Sequence, residues 1–254
     1  MNTYATLFSP FSLGGVPLRN RIVMLPMTTG ICEADGTVGP RLVDFFAARA
    51  RGGAGLIIAP FTPVHTGSAV DAGLFDDRFT QPATRLATAV HEAGAKISAQ
   101  LIVTYKAAFP DGSEHGAAEV VGPSPVLNAL LRVVPRELTV EEIHYLTAAY
   151  GRAAARAKAA GFDMVEVMAG GGYLVNRFLS PLTNRREDEY GGSLEKRLRF
   201  LLDIVWSIRR EAGDGFPVMV RLNLDEQMAG GYSPADALEM ARLLERRGVA
   251  VSTS

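Results

Sequence analysis

Cysteine is almost missing from this chain, with Cys32 the only one. That excludes an intramolecular disulfide and any cysteine-based metal cluster within it, and a reducing, cytoplasmic setting is the simplest fit. No run of ~18 uncharged apolar residues occurs, so no membrane span is expected. The opening MNTYATLFSPFSLGG has no basic region followed by an apolar core, so no secretory leader is expected either. An excess of one charge is also lacking. The 26 Lys and Arg against 27 Asp and Glu leave a net charge of -1. The signs are interspersed, which gives no electrostatic reason to expect nucleic acid or an acidic membrane surface as a partner. Internal repeats of roughly 20 to 50 residues are absent. The one biased tract, AAYGRAAARAKAA, is ordinary helix propensity.

What is present is an alternation. Apolar runs rich in branched residues cover 21–25, 55–59, 96–102, 163–168, 217–223 and 249–253. Helical patterns cover 42–51, 78–93, 140–160, 194–212 and 234–247. Strands alternating with helices of this length imply parallel pairing through right-handed crossovers. Helix starts are marked by Thr139 with Glu142, by Ser193, and by Ser233 before Pro234. Helix ends are expected at Gly52, Gly94, Gly161, Gly213 and Gly248, the residue type that tolerates a left-handed closing conformation.

With 254 residues, 48% of them hydrophobic, the chain can bury the core of one barrel-sized domain. The expected fold is α/β, a TIM (β/α)8-type barrel in which residues 1–254 form a single domain. Six units do not close an eight-stranded barrel, so the domain is expected to be truncated after about six strands and C-terminally incomplete. Unpaired strand edges in such a sheet would favour association, including self-association. The connection from Val103 to Arg136 carries Pro110, Gly112, Gly116, Pro123, Pro125 and Pro135. Its length predicts a lid or binding element.

The stretch from Gly161 to Arg197 organises the rest. Its apolar run, Met164 to Met168, breaks at Gly170, Gly171 and Gly172 and presents Tyr173. Sites of strand–helix proteins lie at the carboxyl ends of strands, which makes Tyr173 either a candidate for chemistry or a tyrosine packed on a tight turn. Two other polar residues end apolar runs. Gln100 closes KISAQL, and a buried amide without a partner costs roughly 1 to 3 kcal/mol. Arg221 follows PVMV, where an unpaired guanidinium would cost more; a salt bridge to Glu166 on a neighbouring strand is one solution. Thr28 and Thr29, after the first run, can cap a turn.

The run VEVMAGGGYLVNRFLSPLTNRREDEYGGSLEKRLRF resembles the Old Yellow Enzyme family of FMN-dependent ene reductases and NAD(P)H:flavin oxidoreductases. LFSPFSLGGVPLRNRIVMLPMTTG supports it, so the likeness covers essentially the whole chain. The resemblance implies FMN as cofactor and NAD(P)H as reductant. It also implies a small-molecule acceptor: an activated alkene (enone or enoyl thioester), a quinone or a related compound. By the same resemblance, Pro26, Met27 and Thr28 line the isoalloxazine, and the Thr28 hydroxyl can bond the ring edge. Ala59 gives the ring room to approach, and Gln100 meets its pyrimidine edge. Arg221 faces the N1 and O2 side, where it stabilises negative charge on the reduced ring. Tyr173 matches the proton donor, which protonates the α-carbon from the face opposite the hydride.

The chain departs from the family where most members carry two histidines, or histidine and asparagine, to bind the substrate carbonyl. Those positions are Met168 and Gly171, and neither side chain can donate such a bond. Met168 is similar to the 2,4-dienoyl-CoA reductase branch, which has glutamate where Gly171 stands. That branch's iron-sulfur cluster and second flavin domain are not expected, because the cysteines and glycine-rich fingerprints they need do not occur. Of the histidines, His91 and His144 are expected on helix surfaces, while His65 and His115 are nearer the mouth. NRREDEYGGS is expected to be structural, with Arg185, Asp188 and Tyr190 pairing locally. The alternative to an oxidoreductase is a catalytically silent barrel that acts by association. Another phosphate-binding barrel enzyme, such as an aldolase, would need a strand-end lysine suited to a Schiff base, and none appears in this sequence.

Overall fold

The structure is a computed structural model that describes residues 4–67, 70–110, 118–128 and 131–253. Six parallel strands form its sheet: β1 (Val23–Met24), β2 (Leu56–Thr62), β3 (Lys96–Leu101), β4 (Met164–Ala169), β5 (Val218–Leu222) and β6 (Ala250–Thr253). They lie side by side in chain order, and the two-residue strand Ala72–Gly73 adds to the end of β2. The helices are α1 (Pro40–Arg51), α2 (Thr80–Glu92), α3 (Val140–Ala159), α4 (Leu174–Leu179), α5 (Leu194–Ala212) and α6 (Pro234–Glu245). The architecture is a TIM-type (β/α)-barrel sheet followed through six strands.

Period-two alternation sorts the strand residues onto two faces. Ile57, Ala59 and Phe61 of β2, Ile97, Ala99 and Leu101 of β3, and Val165, Val167 and Ala169 of β4 pack beneath the helices. The intervening residues face the barrel interior. Low in it, Leu56, Ile58, Met164 and Met219 form a second cluster with Val16 and Leu18. Those last two come from an antiparallel hairpin, Phe11–Leu13 with Val16–Leu18, so an apolar floor closes the amino-terminal end of the sheet. Each fully buried aliphatic side chain contributes about 1.5 to 3 kcal/mol, which makes this floor a stable base. On this face the small Ser98 stands level with Ile58 and Met164, and the larger polar side chains Gln100, Glu166 and Arg221 lie above the floor.

Helix starts follow the sequence pattern. Thr139 and Glu142 form a reciprocal capping box on α3, and Ser233 does so with Asp236 on α6. Ser193 caps α5 through the Lys196 amide. One expected helix end moves by a residue: Gly52 stays right-handed at φ -68, and Gly53 takes the left-handed turn at φ +109. The first strand is also shorter than its apolar run, because only Val23 and Met24 pair with β2. The long connection is not irregular where it is described. Lys106–Ala108, Ala118–Gly122 and Arg136–Glu137 make a small three-stranded sheet. Gly112, Gly116 and His115 lie outside the described residues.

The charged loop after α4 is structural, but its working arginine is the neighbour of the expected one. Arg186, only 8% exposed, pairs with Asp188 at 2.6 Å and donates to the carbonyls of Leu138 and Pro123. Arg185 is exposed, and its amide bonds Ser124. The Tyr190 hydroxyl donates to Asp203 at 3.0 Å.

Candidate active site

Above the apolar floor, three inward-facing side chains meet across adjacent strands. Gln100 Nε2 donates to Glu166 Oε1 at 2.7 Å, and Arg221 Nε donates to the same oxygen at 3.2 Å. Parallel register explains the meeting, since Glu166 stands opposite Gln100 on β3 and Met219 on β5, two residues before Arg221. All three are buried. Glu166 is therefore the partner that an amide and a guanidinium at these strand ends require. Gln100 Nε2 also lies 3.5 Å from Met168 Sδ.

The glycine turn after β4 is fastened on two sides. Asn223 Oδ1 accepts from the Gly171 amide and Asn176 Oδ1 from the Gly172 amide, each at 3.0 Å. Asn176 in turn donates to the Tyr232 hydroxyl at 3.0 Å, and burial pushes that phenol up to about 12. Gly171 has φ +65, and a Cβ there would lie 3.0 Å from Tyr173 Cε2 and 3.1 Å from Met168 Cε. Only glycine meets both requirements without moving the tyrosine.

Tyr173 starts α4, and the next amide, Leu174 N, donates to Val103 O at 3.1 Å. That bond brings the end of β3 alongside, so that the Tyr105 ring stands 5.6 Å from that of Tyr173, tilted by 55°. Both phenols line a cavity of about 430 Å³ together with Thr28, Thr62, Asp71 and Lys106. Burial raises the Tyr105 phenol above its ordinary range, the nearby Tyr173 adds to this, and the Arg177 guanidinium opposes it. The Thr28 hydroxyl donates to Asp71 Oδ1 at 2.9 Å. Burial holds that carboxyl above the usual carboxylate range, and the threonine bond works against the shift.

The structure thus brings Thr28 and Tyr173 to one cavity and sets Gln100 and Arg221 on the inner face. Pro26 is half-buried and Met27 is 51% exposed in the segment after β1. Ala59 is placed differently from the expectation of a small side chain facing the ring: its methyl packs in the helical layer with Ile57 and Phe61. What it offers the inner side is backbone. His65 lines an adjoining cavity of about 270 Å³ that shares Thr62 and Asp71 with the first. His91 is on the surface, paired with Asp163 at 2.7 Å, and His144 is exposed on α3. Tyr105, Lys106 and Asp71 were not singled out by the sequence. They sit in connections without periodicity, and only the fold carries them to Tyr173.

A model of the NADH:flavin oxidoreductase / NADH oxidase family matches residues 6–253. The chain is 41% identical to an NADH oxidase of Thermoanaerobacter brockii over 255 residues, which take in 99% of this chain and 39% of that protein. It is 38% identical to an NADPH dehydrogenase of Geobacillus sp. (strain WCH70) over 247 residues, 96% of this chain and 70% of that protein. Among solved structures, 2-naphthoyl-CoA reductase in complex with 2-naphthoyl-CoA superposes with a TM-score of 0.89 at 30% identity, covering 99% of this chain and 41% of that one. The chain spans well under half the length of the first and third of these proteins.

Proposed function

The chain belongs to the NADH:flavin oxidoreductase / NADH oxidase family, and from this we propose that it is an FMN-dependent oxidoreductase that uses NADH or NADPH to reduce a conjugated small-molecule acceptor, an enone or enoyl thioester. The observation that carries the reading is the Gln100–Glu166–Arg221 cluster beside the cavity of Tyr173.

The donor set there fits FMN. Arg221 uses Nε on Glu166, and its two terminal nitrogens have no acceptor among the described residues. Gln100 uses its amide nitrogen on Glu166 and Met168, and its oxygen has no donor among the described residues. An imide edge, which offers one N–H between two carbonyls, needs such an acceptor and such donors side by side. When bound, FMN would accept hydride from NAD(P)H and supply it to the acceptor. Arg221 would hold negative charge at the pyrimidine edge, and Glu166 orients it. Pro26, Met27 and the Ala59 backbone would wall the ring, with Thr28 at its edge. Tyr173 would hold the proton that goes to the acceptor's α-carbon.

The acceptor class is supported by the presence of two phenols and an ammonium in one cavity, groups suited to a polar conjugated oxygen. The test is absorbance of the purified chain during titration with FMN, then with anaerobic NADPH and NADH. A bound flavin band at about 450 nm that bleaches with reductant is expected. No binding at about 100 μM FMN, equivalent to ~5.5 kcal/mol, would overturn the reading and favour a catalytically silent barrel.

A further inference from the structure

Two phenols open into one cavity, and the function proposed above uses only one. Neither the Tyr105 nor the Tyr173 hydroxyl has a hydrogen-bond partner among the described residues, although their rings are 5.6 Å apart. The surroundings of Tyr105 are electropositive. Arg177 is 2% exposed, and its only side-chain acceptors among the described residues are the carbonyls of Val121 and Val126, at 3.5 and 3.4 Å. No carboxylate lies within ion-pair distance of it among the described residues, and its charge acts on Tyr105. Lys106, the next residue, lines the same cavity, again with no carboxylate partner among the described residues. The one acid among the described residues that line the cavity, Asp71, is engaged by Thr28. A buried cation with no counter-ion costs stability, and it is best used where negative charge develops on a neighbour or a ligand.

We propose that Tyr105 holds the acceptor's carbonyl oxygen, donating its hydroxyl proton in a hydrogen bond while Tyr173 gives its proton to the adjacent carbon. This rests on the reading of the chain as a reductase of conjugated acceptors. Hydride that originates on NAD(P)H adds to the β-carbon, and the C=C pair shifts toward the carbonyl to leave an enolate oxygen. The Tyr173 O–H bond breaks as its proton bonds to the α-carbon, and the phenolate regains a proton from water. One NAD(P)H and one proton are consumed per alkene. The enolate charge falls on the oxygen that Tyr105 binds, in the cavity that Lys106 lines and next to the phenol on which the Arg177 charge acts. A donor aimed at the atom where charge develops stabilises the transition state more than the ground state. Tyr105 thereby supplies the bond that Met168 and Gly171 cannot.

The test uses the FMN-loaded chain in its oxidised state with 2-cyclohexenone as probe, so that nothing turns over. The enone's dissociation constant and the infrared stretch of its bound carbonyl are measured for wild type, Tyr105→Phe, Tyr173→Phe and Tyr105→His, with the FMN affinity of each variant reporting an intact fold. Tyr105→Phe is expected to weaken enone binding about tenfold, one hydrogen bond's worth, and to abolish the downward carbonyl shift. Tyr173→Phe should keep the shift, and Tyr105→His, which restores a donor, should recover part of it. If wild type shows the shift and Tyr105→Phe retains it, or Tyr173→Phe loses it instead, the inference fails and the functional reading stands. If wild type binds no FMN, both fall together.

Discussion

Arg221 on β5 is held by Glu166 on β4 through a bond of 3.2 Å from Nε to Oε1, with both side chains buried. Breaking such a pair from one side leaves an uncompensated buried charge. Glu166→Gln is therefore expected to cost about 3 to 5 kcal/mol, read as a lower urea midpoint with unchanged slope. The double variant Glu166→Gln, Arg221→Met should recover much of that stability while losing FMN affinity. Equal stability of the two variants would show that the pair does not carry the charge balance assigned to it.

The Thr28–Asp71 bond predicts a pH effect of defined sign. The Asp71 carboxyl titrates above its unfolded value because burial outweighs the bond from Thr28. A raised acid stabilises the fold below its unfolded pKa, and that stability is lost as pH rises through the folded pKa. Asp71→Asn, which keeps an oxygen to accept from Thr28, should raise the melting temperature at neutral pH. The difference from wild type should vanish near pH ~3, below the usual carboxylate range. Melting curves across that range decide it; a neutral-pH decrease would contradict the assignment.

The six strands and five long helices were legible because burial on two faces forces period two along a strand and an apolar stripe along a helix. Gln100 and Arg221 stood out for the converse reason, as polar side chains that end apolar runs. The outward face of Ala59 was also present in that alternation, one residue from the inward Ile58. By contrast, Asp71 is 43 residues from Thr28, and only loop geometry brings them together. Which of the adjacent Arg185 and Arg186 turns inward depends on carbonyls of Pro123 and Leu138, far away in the chain. Tyr105 reaches Tyr173 through the Val103–Leu174 backbone bond, which side-chain patterning does not encode.

Gly171 stands where most relatives by resemblance carry a carbonyl-binding side chain, yet replacing it should harm the site. Alanine at φ +65 costs roughly 1 to 2 kcal/mol, and its Cβ would press on the Tyr173 ring from 3.0 Å. Gly171→Ala is expected to lower the melting temperature and slow acceptor reduction, with FMN affinity unchanged. A fully active Gly171→Ala would mean that the ring position is not critical.

Tyr173→Phe separates proton delivery from everything else the site does. The substitution keeps the ring, its contact with Tyr105 and the glycine turn that places it, and removes only the hydroxyl. Bleaching of the bound flavin by anaerobic NADPH requires no proton from this residue and should proceed at the wild-type rate. Reoxidation by an enone requires one, and loss of a positioned acid typically costs about 10² to 10⁴ in rate. Stopped-flow absorbance resolves the two halves in one experiment. Slowing of both would make Tyr173 a structural support, whereas an enone half-reaction at full speed would move the proton donor elsewhere, with Tyr105 the next group to test.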